Sequence, residues 1–191
     1  MLVVLSCAVL ARPVVVGAAT ADVAATNPAM IILIRHGEKP PPEAKSADLS
    51  EAGVLRAQAL PRLFALQGKK PSRLPHPDAL FASSASKHSN REFETLVPLS
   101  KALHEPISIA FDEDQTDELA REIYSGKYAG KVVLICWHHG RMPKVAKSLG
   151  VADAPKWQDE VFDQMWTITW PAGKLQFSTV PERLMPGDSE K

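Results

Sequence analysis

The stretch MIILIRHGEKP at positions 30–40 decides the architecture of this chain. Its first five residues are apolar and rich in β-branched side chains, and the apolar run stops at Arg35. A short continuous apolar run of this kind predicts a strand that is buried on both faces, as in a parallel sheet. The sequence Arg35-His36-Gly37-Glu38 therefore follows the point where a buried strand ends.

A second stretch, KVVLICWHHG at 131–140, has the same organisation. Its apolar run is the strongest strand pattern in the chain, and His138, His139 and Gly140 come directly after it. Ligands of open parallel sheets bind beyond the carboxyl ends of the strands, and those ends share one edge of the sheet. We therefore expect His36 and His139 to lie close together, although they are far apart in the sequence.

The segments around these two stretches alternate between strand and helix patterns. Further strands are predicted at 79–83 and 107–111, and a final hairpin at 161–170 and 174–180. Helices are predicted at 49–67, with Ser50 as cap and a kink at Pro61, at 90–104, at 116–124, with Thr116 as cap, and at 143–149. This order predicts an α/β three-layer sandwich, with a mostly parallel central sheet, helices on both faces and a C-terminal hairpin.

Other polar residues are also expected at the edge of the sheet where the parallel strands end, which we call the rim. Arg91 falls in the first turn of the helix that follows the second strand, and Asp112, Glu113 and Asp114 follow the third. Two imidazoles, two arginines and an acidic cluster suit phosphoryl transfer through a covalent intermediate. A neutral imidazole is nucleophilic near pH 7, an arginine fork matches phosphate oxygens, and a protonated carboxyl can donate to the leaving alkoxide.

Four segments in order resemble the histidine phosphatase superfamily, the phosphoglycerate-mutase-like proteins. They are LIRHGEKP at 33–40, DLSEAGVLRAQAL at 48–60, NREFETLVPLSKAL at 90–103 and VVLICWHHGRMPKVAKSLG at 132–150. FDQMW at 162–166 resembles a small exported or plant-like subgroup. The resemblance spans about 30–180 and implies the phosphoglycerate-mutase-like fold and hydrolysis of a phosphomonoester.

The resemblance also implies roles for individual residues. His36 matches the nucleophile, Arg35 and Arg91 match the phosphate-binding arginines, and His139 matches the second active-site histidine, which also contacts phosphate. His138 stands where the family more often has Ser or Glu, and we expect it to pack beside the site. The proton donor transfers less directly: Asp114 is the first candidate, ahead of Glu113 and Glu118.

Two other functions stay open beside phosphatase activity. A non-catalytic protein that binds a phosphorylated ligand would keep the arginines and lose the proton donor. A phosphomutase is less favoured, because Lys39-Pro40-Pro41-Pro42-Glu43 replaces the Asn and Thr that mutases hold after the first histidine. A zinc hydrolase is disfavoured, since the chain has no HExxH motif and a His-His pair is a thin ligand set. We expect no metal and no cofactor.

The composition of the chain limits the classes of molecule that it is expected to bind. The chain has 191 residues, 45% of them apolar, with 22 basic and 22 acidic side chains. This content supports one folded domain, and zero net charge argues against bulk binding to nucleic acid. A small phosphorylated substrate is the expected partner.

The first 21 residues differ from the rest. They are apolar with a single charge at Arg12, and they end in Ala19-Thr20-Ala21, which is typical of a secretory signal with an A-x-A cleavage site. The apolar run is broken at Arg12-Pro13, which leaves it short for a membrane span. We expect export to the periplasm or beyond, with 22–191 forming a single histidine-phosphatase-like domain. Cleavage would leave Cys136 as the one thiol, in mid-strand and buried.

Overall fold

The computed structural model describes residues 26–65 and 72–189. The predicted signal at 1–21 lies outside these ranges and stays a prediction. The strands are β1 (Met30–Arg35), β2 (Ala79–Ala82), β3 (Ile107–Ser108), β4 (Val132–Trp137), β5 (Gln164–Thr169) and β6 (Gln176–Pro181). The α-helices are α1 (Glu51–Ala59), α2 (Arg91–Leu103), α3 (Thr116–Ile123) and α4 (Met142–Ser148). None of these helices has both the length and the apolar character that crossing a bilayer requires.

The strands form one sheet in the order β3-β2-β4-β1-β5-β6. The strands from β3 to β1 run parallel, while β5 pairs antiparallel with β1 and β6 antiparallel with β5. The prediction of a mostly parallel sheet with a C-terminal hairpin is confirmed. In the register of β1 and β4, Arg35 lies beside Trp137, so both strands end at the same level. The residues that follow, His36 and His138, therefore leave the sheet together.

The two central strands are buried on both faces, as their apolar runs predicted. Each face of the sheet has its own apolar layer. Leu96 and Leu99 of α2 pack in one layer with Ala59 of α1, and Leu119 of α3 packs with Val145 of α4 in the other. Two helices thus cover each face, which gives the expected three layers and leaves the carboxyl edge of the sheet for the loops.

At α1 the predicted cap and kink are correct, but the helix predicted over 49–67 is α-helical only over Glu51–Ala59. The Ser50 side chain accepts a hydrogen bond from the backbone nitrogen of Gly53 at 3.1 Å and caps the helix. The helix then tightens into a 3₁₀ turn at Leu60–Leu63 that contains Pro61. Proline has no N–H to continue the α-helical ladder, so the predicted kink at this residue is confirmed.

Three other boundaries differ from the prediction. The third strand ends at Ser108 instead of 111, because the chain turns away and the Phe111 carbonyl accepts a bond from the Ser84 nitrogen at 2.7 Å. Thr116 is the first buried residue of α3, and Gln115 occupies the cap position. The last hairpin begins at Gln164, since the chain before it serves the site described below.

Candidate active site

His36 lies at the carboxyl end of β1 and is 1% exposed. Its Nδ1 is 2.6 Å from the carbonyl oxygen of Gly37. Because a carbonyl only accepts hydrogen bonds, Nδ1 carries the proton and the neutral ring keeps a lone pair on Nε2. Burial, the largest cause, lowers the pKa of His36 to about 3; the Gly37 carbonyl opposes this, and Arg35 and Arg91 add to it. The ring is therefore neutral at neutral pH.

The loop after His36 depends on a close approach between two glycines. A Cβ on Gly37 would lie 2.9 Å from the Gly53 carbonyl oxygen, and a Cβ on Gly53 would overlap the Glu38 carbonyl oxygen. These backbones approach because neither residue has a side chain. The Gly37 nitrogen also donates to Thr95 Oγ1 at 2.9 Å, and Thr95 donates to the Arg91 carbonyl at 2.7 Å. The loop is therefore fixed from both α1 and α2.

A buried ionic cluster around Arg56 of α1 also holds the loop after His36. Glu38 accepts from Arg56 at 2.8 Å, and Arg56 also pairs with Asp188 at 2.8 Å and lies 3.6 Å from Glu182. Three carboxylates thus surround one guanidinium. Burial raises the pKa of Glu182 to about 8, against the opposing effect of Arg56. Glu38 thus forms its ion pair with Arg56 of α1.

Arg35 is 2% exposed, and the loop before β5 holds its guanidinium. Nη1 donates to the carbonyl oxygens of Asp159 at 2.7 Å and Val161 at 3.0 Å, and the guanidinium carbon lies 3.8 Å from the centre of the Phe162 ring. Burial is the main cause that lowers the pKa of Arg35 to about 10, so it stays charged at neutral pH. Within the described chain, its buried Nε–H has no partner. Arg35 therefore brings a positive charge and one uncommitted donor to the site.

Arg35 also orients His139. Its Nη2 lies 3.2 Å from His139 Nδ1, and since a guanidinium only donates, Nδ1 accepts and the neutral ring carries its proton on Nε2. Asp159 Oδ1 lies 3.4 Å from that Nε2. Burial lowers the pKa of His139 to about 4, and Arg35 adds to the effect. The rings of His36 and His139 are 6.1 Å apart between centres, so the structure brings the two predicted histidines together.

His138 belongs to the same cluster. Its ring centre lies 6.0 Å from that of His36 and 4.4 Å from that of His139. One ring nitrogen from each of the three histidines can be chosen so that all three atoms lie within 4.8 Å of one another. The sequence indicated only the His138-His139 pair as possible metal ligands, because nothing in the sequence gives the direction in which His138 points. The rim therefore holds three imidazoles.

Arg91 begins α2, as predicted, and is nearly buried. Its Nη1 donates to the Ser46 carbonyl at 3.2 Å and its Nη2 to the His88 carbonyl at 3.1 Å. Its buried Nε–H, like that of Arg35, has no partner among the described residues. Arg91 borders a small cleft of about 180 Å³, lined by Lys39, Pro40, Pro41, Pro42, Lys45, Ser46 and His88. Lys87 lies in the loop between β2 and α2 and is exposed.

The three candidate acids lie in different surroundings. The Asp114 carboxylate pairs with Arg141 at 3.0 Å, and that of Glu118 pairs with Arg121 at 3.0 Å. Glu113 instead places Oε2 at 3.9 Å from Nδ1 of His138. The buried Trp137 donates from Nε1 to the Glu113 carbonyl at 3.1 Å and fixes its backbone. Of the three acids, Glu113 is the one that the structure brings to the histidines.

Sequence reasoning missed two residues of the site. Asp159 approaches His139, and Phe162 packs against the Arg35 guanidinium. Phe162 belongs to the FDQMW segment that resembles a subgroup of the family, but the sequence indicated no function for its side chain. Both residues lie in a loop that has no hydrophobic period, so nothing in their spacing indicates contact with β1. Cys136 is fully buried as expected, and burial raises the pKa of its thiol.

A larger cavity of about 470 Å³ lies beside β3, at the edge of the sheet. Its lining includes Phe81, Ile107 and Tyr128, together with Glu122 and Lys127, and shares no residue with the histidine cluster. The concentration of imidazole and guanidinium groups therefore identifies the candidate active site better than cavity size does.

Comparison with known proteins supports the fold. No family model and no curated protein matches the chain. Among solved structures, it is similar to a phosphoglycerate mutase from Bacillus anthracis, at 14% identity and a TM-score of 0.54, over 82% of this chain and 94% of that one. It is also similar to a phosphoserine phosphatase from Entamoeba histolytica in complex with 3-phosphoglyceric acid, at 14% identity and a TM-score of 0.53, over 82% and 99%. The chain has the phosphoglycerate-mutase-like fold, which confirms the predicted architecture.

Proposed function

We propose that this protein hydrolyses small phosphomonoesters through a phosphohistidine formed on His36. One observation carries the proposal: the Nδ1–H of His36 is committed to the Gly37 carbonyl, so the Nε2 lone pair is available in a neutral ring. A neutral imidazole attacks phosphorus, whereas an imidazolium has no lone pair to do so. The low pKa of His36 keeps that neutral form over the physiological range.

In the first step, Nε2 of His36 attacks phosphorus and the bond from phosphorus to the ester oxygen breaks. The charge on the transferring group is stabilised by the guanidinium groups of Arg35 and Arg91 and by the Nε2–H of His139. The leaving alkoxide takes a proton from a carboxylic acid. Loss of any one stabilising donor is expected to cost about two to four kcal/mol of transition-state energy.

In the second step, water attacks the phosphohistidine and the bond from phosphorus to Nε2 breaks. The carboxylate that gave its proton in the first step takes one from this water, and inorganic phosphate leaves. We propose Glu113 for this group in place of Asp114. Of these two carboxylates, that of Glu113 lies 3.9 Å from His138, while that of Asp114 forms an ion pair with Arg141.

The cleft beside Arg91 favours hydrolysis over phosphoryl transfer between two positions of one substrate. A mutase must hold a second phosphate or an acceptor hydroxyl with further donors. Three consecutive prolines line this cleft, and proline has no backbone N–H to offer. Lys39 and Lys45 add positive charge at the cleft, which suits small anionic phosphoesters.

A non-catalytic phosphate-binding role is the second candidate. It is favoured by the position of the acids, since Glu113 is half exposed and stands 3.9 Å from His138 without a hydrogen bond. This protein would bind phosphate through the arginines and release its ligand unchanged.

An activity panel separates the two. The wild-type protein, His36→Ala and the exposed control His76→Ala are assayed on p-nitrophenyl phosphate, phosphoserine and 3-phosphoglycerate in the presence of EDTA. We expect turnover by wild type and by His76→Ala and none by His36→Ala. Phosphate binding by wild type without hydrolysis of any substrate would favour the second candidate, and full activity in His36→Ala would exclude the proposed intermediate.

A further inference from the structure

The histidine cluster has a chemistry that phosphoryl transfer does not use. His36, His138 and His139 can each supply a ring nitrogen within 4.8 Å of the other two. The Nδ1 of His138 is buried and has no hydrogen-bond partner in the described chain. A buried imidazole nitrogen without a partner is unusual, because burial of an unsatisfied polar atom costs free energy. His138 therefore has a ring that no group of the described chain holds by a hydrogen bond at Nδ1, and it can offer a nitrogen to a metal ion.

The atoms available match the ligand set of a zinc ion. His36 commits Nδ1 to the Gly37 carbonyl, which leaves Nε2 free and fixes the tautomer in the way that carbonyl partners fix metal-binding histidines. His139 keeps Nε2 for a ligand, because its Nδ1 faces Arg35. Three neutral histidines with an open fourth position are a recurring zinc arrangement.

Carboxylates flank the three rings on both sides. Glu113 Oε2 lies 3.9 Å from His138 Nδ1, and Asp159 Oδ1 lies 3.4 Å from His139 Nε2. Each can act as a further ligand or as a hydrogen-bond partner of a bound water. Their negative charges also offset the positive charge of Arg35, which otherwise opposes a cation.

We propose that His36, His138 and His139 form a binding site for a divalent transition-metal ion, represented by Zn²⁺, and that the ion and a phosphoester exclude each other. The ion takes the Nε2 lone pair of His36, so that atom can no longer attack phosphorus. At His139 the ion replaces the proton on Nε2, which passes to solvent, while Arg35 still donates to Nδ1. Zn²⁺ is then an inhibitor of turnover and takes no part in it.

The test measures binding directly, without substrate. Chelator-treated full-length protein is titrated with Zn²⁺ by calorimetry, and Co²⁺ absorption reports the coordination geometry. The variants are His138→Ser, His138→Asn and the exposed control His76→Ser, each checked by thermal unfolding. We expect one Zn²⁺ per chain in wild type and in His76→Ser. Loss of a single outer partner of a metal ligand already costs about 10- to 100-fold in affinity, so both His138 variants should bind at least about 10-fold more weakly.

Two binding results would overturn the proposed site: wild type that binds no stoichiometric Zn²⁺, or folded His138 variants that bind it as wild type does. The effect on turnover rests on the proposed function, whereas the binding site itself does not depend on phosphatase activity. Zinc binding by a protein that hydrolyses nothing would leave it standing and refute the proposed function. EDTA-treated enzyme that turns over substrate at a rate unchanged by added Zn²⁺ would refute the inference and leave the proposed function standing.

Discussion

The Nδ1 atom of His36 lies 2.6 Å from the carbonyl oxygen of Gly37, its own neighbour in the chain. This bond sets both the tautomer and the direction of the ring, so the position of the imidazole depends on the position of the Gly37 peptide. That peptide is held by Thr95 on α2 and by its close approach to Gly53 on α1. Two helices thus position one imidazole.

Thr95→Val tests the support from α2. Valine keeps the shape of threonine but removes the oxygen that accepts from the Gly37 nitrogen, and a buried donor left without a partner costs about 1–3 kcal/mol. We expect a loss of stability in this range by urea unfolding and a fall in kcat of at least about 10-fold. Thr95→Ser keeps the acceptor and should retain more of both quantities. Equal behaviour of the two variants would show that the Thr95 hydroxyl does not position the loop.

Gly53→Ala tests the support from α1. In an ordinary helix this change stabilises by about 0.5–1 kcal/mol, because alanine is the better helix former. Here the new Cβ overlaps the Glu38 carbonyl oxygen, so we expect the opposite sign, a loss of about 1–3 kcal/mol, together with loss of activity. Gln58→Ala, at an exposed position of the same helix, is the control and should be neutral. A stabilised and fully active Gly53→Ala would contradict the close approach.

Glu113→Gln and Asp114→Asn separate the two candidate proton donors. A donor matters most when the leaving group is a poor one, so its loss should slow an alkyl phosphate far more than p-nitrophenyl phosphate. We expect this pattern for Glu113→Gln. Asp114→Asn should change both rates little, since the Asp114 carboxylate pairs with Arg141 and not with a histidine of the site. The reverse pattern would return the role to Asp114, and equal slowing of both substrates would indicate phosphate binding.

The pH dependence of stability tests the ionic cluster below the site. Burial raises the pKa of Glu182 to about 8 in the folded protein, from an ordinary value of 4.5. The unfolded chain therefore ionises this group first, and the stability it contributes is present below about pH 4.5 and lost as pH rises towards 8. Glu182→Gln mimics the protonated form at every pH.

We therefore expect the free energy of unfolding of Glu182→Gln to rise relative to wild type between pH 5 and pH 9, measured by urea unfolding. The slope is the readout, because a constant offset reflects packing alone. Asp188→Asn serves as the contrast. The pKa of Asp188 is lowered, with its bonds to Arg56 opposing burial, so wild type should lose its advantage over that variant as pH falls. A flat difference for Glu182→Gln would show that this carboxyl is ionised in the fold.

The sheet and its rim could be predicted from the sequence because their signals are local. The runs at 30–34 and 132–137 are apolar throughout, as strands buried on both faces require, and parallel strands end on one side. This places His36 and His139 together with no further information. The cap at Ser50 and the kink at Pro61 follow from single-residue chemistry in the same way.

The rest of the site depends on loops that have no period. Nothing local indicates that Val161 and Asp159 give their carbonyls to Arg35, or that Arg141 takes the carboxylate of Asp114. Glu113 and Asp114 are adjacent in the sequence, and the conformation of the turn that holds them decides which of the two carboxylates faces the histidines. The resemblance gave no residue for this role, so sequence alone could not choose between them.

The central claim is a covalent bond between phosphorus and Nε2 of His36, and trapping that bond tests it most directly. Wild-type protein is mixed with a ³²P-labelled phosphomonoester, quenched within a turnover, and digested to locate the label, with His36→Ala and His139→Ala treated alongside. We expect an acid-labile, alkali-stable label on the peptide that contains His36, absent from His36→Ala and reduced in His139→Ala. Hydrolysis by wild type with no label on that peptide, or equal labelling of His36→Ala, would contradict it.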